Sequence, residues 1–353
     1  MARVEPGSGR VLLSGILAVL LLGCAEQADL TPLSGGQLRL GSVLGETALE
    51  GFAQADEARR FVFPEDHGSH PDYRSEWWYL TLVLKDEQSR DVGVQFTLFR
   101  QALTPSTTAP VNRWQSNQVY LAHFAITDTA SGVHAADERF ARGHPALAGV
   151  EPAPFSLWLE DWRLEARDEI WRLSAAMAEG RVEIDLDVNV PIVLQGEQGL
   201  SRKGPDQASY YFSMPGIPAS GRIWMNGEPR RVAGLGWLDR EWSTSVLSGG
   251  QLGWDWLALQ LDDGRRLMAF QLRRQDGSRD AYDQGMLVSA DGTARHLSVQ
   301  DFSLEPIRYW RDGAGTDWPV SWRITLAGET LLATAVLDDQ QMQTSIRYWE
   351  GMV

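Results

Sequence analysis

The chain has 353 residues, with 32 Lys plus Arg against 47 Asp plus Glu and a formal net charge of −15. That length suits two domains of roughly 150 residues, and 43% hydrophobic with 22% charged residues excludes wholesale disorder. The acidic balance argues against a nucleic-acid partner, which needs a basic face to displace counterions, and a single Cys excludes a disulfide framework or a cysteine-based zinc cluster.

Residues 1–23 read as an export signal. Arg3 and Arg10 form a positive n-region, and Val11 to Leu22 form an apolar run too short to span a bilayer. The run ends in Leu21-Leu22-Gly23-Cys24, which resembles a bacterial lipobox. In that reading Cys24 is the lipid-modified first residue of the mature protein; the alternative is an ordinary signal peptide with a stray Cys. Several acyl chains would attach the protein stably to a membrane, where one binds only marginally. Ala25 after Cys24 points, by analogy with lipoprotein sorting, to the outer membrane of the cell envelope, facing the periplasm. Residues 24–60 read as a tether, with a short amphipathic helix expected around Glu46 to Arg60.

From Phe61 onward the apolar period is mostly two. Val182 to Val190 alternates throughout, with Val182, Ile184, Leu186, Val188 and Val190 on one face. Further strands are expected over Trp77–Leu84, Val92–Phe99, Gln118–Thr127, Trp158–Leu164, Trp171–Ala176, Trp256–Leu261, Leu267–Arg273 and Trp322–Leu326. Asn226-Gly227, Asp263-Gly264, Asp276-Gly277 and Asp291-Gly292 mark turns between them. Many short strands without a sustained helical stripe mean an all-β sandwich or barrel. A hairpin pattern also recurs. Trp78 to Leu84 followed by Val92 to Arg100 is matched by Trp256 to Leu261 followed by Leu267 to Arg273. The two copies are too far apart for a solenoid and suit a duplicated domain. We therefore expect domains over 61–216 and 217–353, with the linker near Met214-Pro215-Gly216-Ile217-Pro218, where two prolines would break a strand.

Fifteen Trp residues suggest an aromatic-lined pocket or simply an aromatic-rich core. Two clusters concentrate chemistry. The first runs from Phe63 to Tyr79 and holds His67, His70, Arg74, Glu76, Trp77 and Trp78. Glu76 leads an apolar strand face, so it must be paired or carry a raised pKa, and Arg74 and His70 are its nearest partners in sequence. Asp66, His67, His70 and Asp72 could hold a metal; the plainer reading is a structural plug of Arg, carboxylate and Trp closing a barrel end. The second cluster is Trp237-Leu238-Asp239-Arg240-Glu241-Trp242, with Trp254-Asp255-Trp256 nearby. Asp239, Glu241 or Asp255 could serve as a buried general acid on an apolar substrate, or equally as a core acid bridged to Arg240. His123, in an alternating strand, reads as an ordinary sheet residue. No nucleophile elbow, P-loop, zincin or dinucleotide motif occurs.

The run Asp66 to Tyr79 resembles the signature of the AttH/CrtC family, which holds carotenoid 1,2-hydratases and secreted lipocalin-like proteins described as hydrolases. Val193-Leu194-Gln195-Gly196, Gly236 to Trp242, Gly253 to Trp256 and Tyr348-Trp349-Glu350-Gly351 are similar to its later motifs. The resemblance implies a tandem of two lipocalin-like antiparallel β-barrels or sandwiches, and a MacB-like ABC transporter as partner. Where the hydratases carry His-Asn-Trp, this chain has Arg240-Glu241-Trp242, so one proposed site His is absent. Many relatives continue beyond the point where this chain reaches Met352-Val353.

Two functions follow as expectations. The first is a lipid-anchored periplasmic module that binds a hydrophobic, isoprenoid- or lipid-like molecule alongside the transporter, with no cofactor and no metal. The second is a hydratase- or hydrolase-like enzyme on such a substrate, with Asp239, Glu241 or Asp255 as acid. In that case Trp237, Trp242, Trp254 and Trp256 offer faces to a developing cation.

Overall fold

A computed structural model of the chain describes residues 50–105, 116–244, 247–248, 250–326 and 328–353. The expected signal, Cys24 and most of the tether lie outside the described residues. Within them, 50–60 contain no helix, and no helix is long and apolar enough to cross a membrane. The fold is all-β, as the period-two patterning predicts, with one 3-10 turn at Glu65–His67.

Thirteen strands form the first sheet. In chain order they are β1 (Ser75–Asp86), β2 (Asp91–Ala102), β3 (Gln118–Asp128), β4 (Val133–Arg142), β5 (Ala148–Pro152), β6 (Phe155–Leu159), β7 (Trp162–Arg167), β8 (Ile170–Ala176), β9 (Gly180–Leu186), β10 (Val193–Leu194), β11 (Leu200–Arg202), β12 (Ala208–Met225) and β13 (Glu228–Ser243). The main path runs β4-β3-β2-β1-β13-β12-β9-β8-β7-β6-β5. Its ends approach each other. Arg139 on β4 pairs with Asp161, donates to the Ala176 carbonyl and lies 4.2 Å over the Trp162 ring. The sheet is thus a nearly closed barrel. Alternate residues fill its interior: Trp78, Leu80, Leu82 and Leu84 from β1, and Val92, Val94, Phe96 and Leu98 from β2. Trp162 packs edge-on to Phe96 and Phe124 at 6.3 and 5.5 Å. Burying each large apolar side chain contributes roughly 1.5–3 kcal/mol.

The other face of the central strands is also dry. Thr97, His123, Ser213, Asp239 and Glu241 are buried although their side chains point out of the barrel. The rest of the chain covers them. A four-stranded sheet consists of β14 (Gln251–Gln260), β15 (Arg266–Arg274), β16 (Gln284–Val288) and β17 (Ala294–Leu297); a three-stranded sheet of β18 (Phe302–Arg311), β19 (Asp317–Leu326) and β20 (Glu329–Thr334). These two share a core of Leu257, Leu267, Leu287, Phe302, Trp322 and Ile324. A last ribbon pairs β21 (Gln341–Met342) with β22 (Tyr348–Trp349). From it Tyr348 and Glu350 reach back to His123 and Tyr79 of the barrel.

The tandem is therefore unequal. Residues 214–218 are not a linker but the middle of β12, which pairs with β13 across them. The prolines are absorbed by a bulge: Pro215 opposes Trp237, Ile217 opposes Gly236, and Gly216 is the extra residue. The 216/217 boundary thus falls inside the first sheet, which extends to Ser243. The expected Trp158–Leu164 strand is two strands joined at Glu160, whose φ is +56°. The Val182–Val190 alternation outlasts its strand, which ends at Leu186. All four predicted turn glycines have positive φ, and Asn226 (+55°) with Gly227 (+84°) form the type I′ turn joining β12 to β13.

Gly216 combines φ +75° with a close approach: a Cβ there would sit 2.2 Å from the Arg266 Nε of β15. Left-handed backbone alone costs an L-residue about 1–2 kcal/mol. Gly216→Ala should lower stability by at least that much, read as a drop in the urea midpoint at unchanged m-value.

Candidate functional site

Two polar clusters occupy opposite faces of the same strand pair. On β1 and β13, Glu76 opposes Trp242 and Trp78 opposes Arg240 on the barrel-interior face; Trp77 opposes Glu241 and Tyr79 opposes Asp239 on the outer face.

The inner cluster closes the barrel end. Glu76 is fully buried and accepts hydrogen bonds from the His70 backbone N–H (3.0 Å), from Arg100 and from Arg240 Nη2 (2.5 Å). Arg100 also donates to the His70 and Tyr73 carbonyls at 2.9 and 2.8 Å. Arg240 donates to the Gly68 carbonyl and lies 3.8 Å over the Trp78 ring. His70 stacks on Trp242 at 3.8 Å and bridges Glu76 to Asp66, which Arg59 also pairs. Burial pushes the Glu76 pKa up, but Arg100, Arg240 and His70 outweigh it and hold the carboxyl ionised far below the usual range. His70 is thus a partner of Glu76, as expected. Both guanidiniums come from other strands, Arg100 and Arg240, while Arg74 is buried at the start of β1. The His67 ring packs against Phe63, Phe155, Trp171 and Phe212, and burial with Arg240 nearby lowers its pKa to about 4. Asp66, His67, His70 and Asp72 do not converge on one point, and among the described residues no group of acids and histidines could hold a metal. Both acids of this cluster, Glu76 and Asp66, are ion-paired, an arrangement that suits the structural plug expected from the sequence.

The outer cluster differs because two of its acids lack a cation among the described residues. Asp239 accepts from Ser213 Oγ (2.5 Å), Trp237 Nε1 (2.9 Å) and the Tyr211 hydroxyl. Burial, together with the Glu241 charge, overrides these bonds and raises its pKa to about 7. Glu350 accepts from the Tyr79 hydroxyl. Its residue stays partly accessible, yet its carboxyl is enclosed, and burial with the Asp239 charge also brings it to about 7. Burial likewise raises Tyr79, Tyr211 and Tyr348 well above the usual phenol range, so all three remain hydroxyl donors. Trp256 donates to the Tyr211 hydroxyl at 3.4 Å and its ring lies 5.7 Å from Tyr79. Trp77, Leu247 and the half-exposed Trp254 continue the aromatic wall. Two neutralisable carboxyls among phenols and indoles can give and take a proton near pH 7 in a dry site.

Of the three predicted acids, only Asp239 is placed for this. Glu241 is neutralised by Lys203, with a second bond from Ser209. Asp255 points to the opposite side of β14 from Trp254 and Trp256, and is paired with Arg273 (2.9 Å to Nε) rather than with Arg240. Trp237 and Trp256 line the outer cluster; Trp78 and Trp242 belong to the plug. Sequence reasoning missed Tyr79, Lys203, Tyr211, Ser213, Tyr348 and Glu350. Tyr79 and Glu350 sit in the Trp-rich runs already singled out, but nothing local pairs residues so distant.

The AttH-like family matches residues 54–353. The crystal structure of a candidate AttH from Nitrosomonas europaea is similar at 36% identity and a TM-score of 0.75, covering 85% of this chain and 93% of that one. Kievitone hydratase from Nectria haematococca shares the fold at 12% identity and a TM-score of 0.57, over 83% of this chain and 88% of its own. No curated protein matches the chain.

Proposed function

The chain belongs to the AttH-like family, and from that premise we propose that it takes a hydrophobic, isoprenoid- or lipid-like molecule at the outer cluster and adds or removes water there. The observation that carries this reading is the pair Asp239 and Glu350, two enclosed carboxyls brought to about pH 7 with no cation beside them among the described residues. With one protonated and one ionised, the pair holds both an acid and a base. Protonation of a double-bond carbon by the acid leaves a cation at its neighbour, flanked by Trp237 and Trp256. Water attacks that carbon, and the base takes the proton that water releases. The pair ends with one proton, as it began. The kinship of fold with a hydratase suits this reading; of the departure at Arg240-Glu241-Trp242, Arg240 and Trp242 belong to the plug, while Glu241 lies beside Asp239 and its charge helps raise that acid's pKa.

A pure binding role is the second reading, favoured by the indole-rich wall and the half-accessible Trp254. In either case we propose the Cys24 anchor, an outer-membrane position facing the periplasm and a MacB-like transporter as the cellular setting. The test is incubation with a panel of isoprenoid alkenes and tertiary alcohols in oxygen-18 water. Label in a product identifies a hydratase; saturable Trp quenching without turnover leaves a binder; neither response removes both.

A further inference from the structure

One row of residues crosses six strands on the outer face of the barrel. In direct register stand Ser213 on β12, Asp239 on β13, Tyr79 on β1, Thr97 on β2, His123 on β3 and Glu138 on β4. Every member carries a hydroxyl, carboxyl or imidazole, and directly opposed side chains in a sheet lie about 4.5–5.5 Å apart. The next row on the same face runs from Tyr211 and Glu241 through Trp77, Phe99 and Leu121 to Phe140 and is apolar from Trp77 onward, so the polar run from Tyr79 to Glu138 is not shared by its neighbour.

Buried polar residues need a reason, and His123 makes the point sharply. It is fully buried, its Nδ1 is 2.7 Å from the Tyr348 hydroxyl, and its Nε2 has no hydrogen-bond partner. That nitrogen faces Glu138 Oε2 at 3.6 Å, beyond a direct bond but within reach of a small rotation. Glu138 is partly exposed and is oriented by the Ser345 N–H (2.6 Å) and hydroxyl (2.8 Å). The 345–350 segment therefore lies along the row, with Tyr348 on His123 and Glu350 on Tyr79. The groups facing His123 are Glu138 from β4, Thr97 and Phe99 from β2, and Tyr348 from the last ribbon.

We propose that Glu138, His123 and Tyr79 of this row, together with Tyr348 laid along it, form a proton path joining the enclosed carboxyls to solvent at Glu138, with His123 as its relay. The inference rests on the acid reading of Asp239 and Glu350 given above. Glu138 takes a proton from water and passes it to His123 Nε2. The Nδ1 proton moves to the Tyr348 oxygen, an intervening water carries the Tyr348 hydroxyl proton to Tyr79, and Tyr79 passes its own hydroxyl proton to the Glu350 carboxylate to which it already donates. One proton enters and one arrives, with no electrons moved. Because hydration itself returns the pair to its starting charge, the path does not run once per turnover. It sets the singly protonated state before each one.

The test needs no substrate. Trp237 donates to Asp239, so its fluorescence reports the charge there. After a stopped-flow jump from pH 8.5 to pH 6, the wild type should show a phase that Asp239→Asn abolishes. Glu138→Gln and His123→Asn should slow that phase at least tenfold at unchanged amplitude, and Glu138→Asp should restore it to within about threefold. Glu138 is partly exposed, so its variants keep the test open if the His123 variant does not fold. An unchanged rate in Glu138→Gln overturns the path and leaves the acid pair standing. No Asp239-dependent phase in the wild type overturns both.

Discussion

Glu76→Gln is expected to cost about 3–5 kcal/mol of stability, the range for breaking a buried ion pair from one side. Arg100 and Arg240 are both essentially unexposed, and the carboxylate between them answers both charges at once. The neutral amide keeps the shape and leaves both cations in a dry end of the barrel. The effect has a sign in pH as well. The arginines hold the folded-state pKa below the unfolded value of about 4.3. The stability from Glu76 is thus complete above that value and is lost as pH falls towards the folded one. Urea denaturation of the wild type should weaken steeply below pH 4, and that of the variant should not. Adding Arg240→Met to Glu76→Gln should recover part of the loss, because one unpaired cation goes with it. A loss under 1 kcal/mol at pH 7 would mean that the plug does not hold the barrel.

The alternation of β1 and β9 and the Asn226-Gly227 turn were legible because each is a local rule, satisfied within a few residues. What was not legible is what crosses the chain. Pro215 and Pro218 read as breakers, since a proline cannot donate to a ladder; a one-residue bulge at Gly216 lets β12 run through them. His123 read as an ordinary sheet residue, and nothing in their own strands shows that Thr97 and His123 are buried on the outer face, which is dry only because the later sheets cover it. Glu76 announced itself as an acid in need of a partner, and its partners lie 24 and 164 residues away. Glu350 meets Tyr79 across 271 residues. Asp239 could be found because it sits in the Trp237 to Trp242 cluster, where acids stand among large aromatic residues. Asp255, which looks the same in sequence, differs by one position of strand phase and is bridged to Arg273.

Asp239→Asn separates function from folding because its two effects run in opposite directions. As half of an acid–base pair, Asp239 contributes what a positioned proton donor or acceptor contributes, about 10²–10⁴-fold in rate. The amide cannot exchange a proton, so hydration of whichever alkene the panel identifies should fall by at least about a hundredfold. In the wild type both carboxyls titrate near 7, as a coupled pair, so the rate should pass through a maximum near neutrality and fall on either side. Stability moves the other way. The folded-state pKa lies above the unfolded value of about 3.9. The neutral acid's contribution is therefore full below pH 3.9 and is lost as pH rises through 7, where the fold must keep a buried charge without a cation. Asparagine never ionises. At pH 9 the variant should be more stable than the wild type by on the order of 2–4 kcal/mol, and at pH 4 the two should nearly coincide. A variant that is inactive and also weaker at pH 9 would show that the fold stabilises the Asp239 charge and does not merely tolerate it, so the raised pKa and the acid reading would fall together.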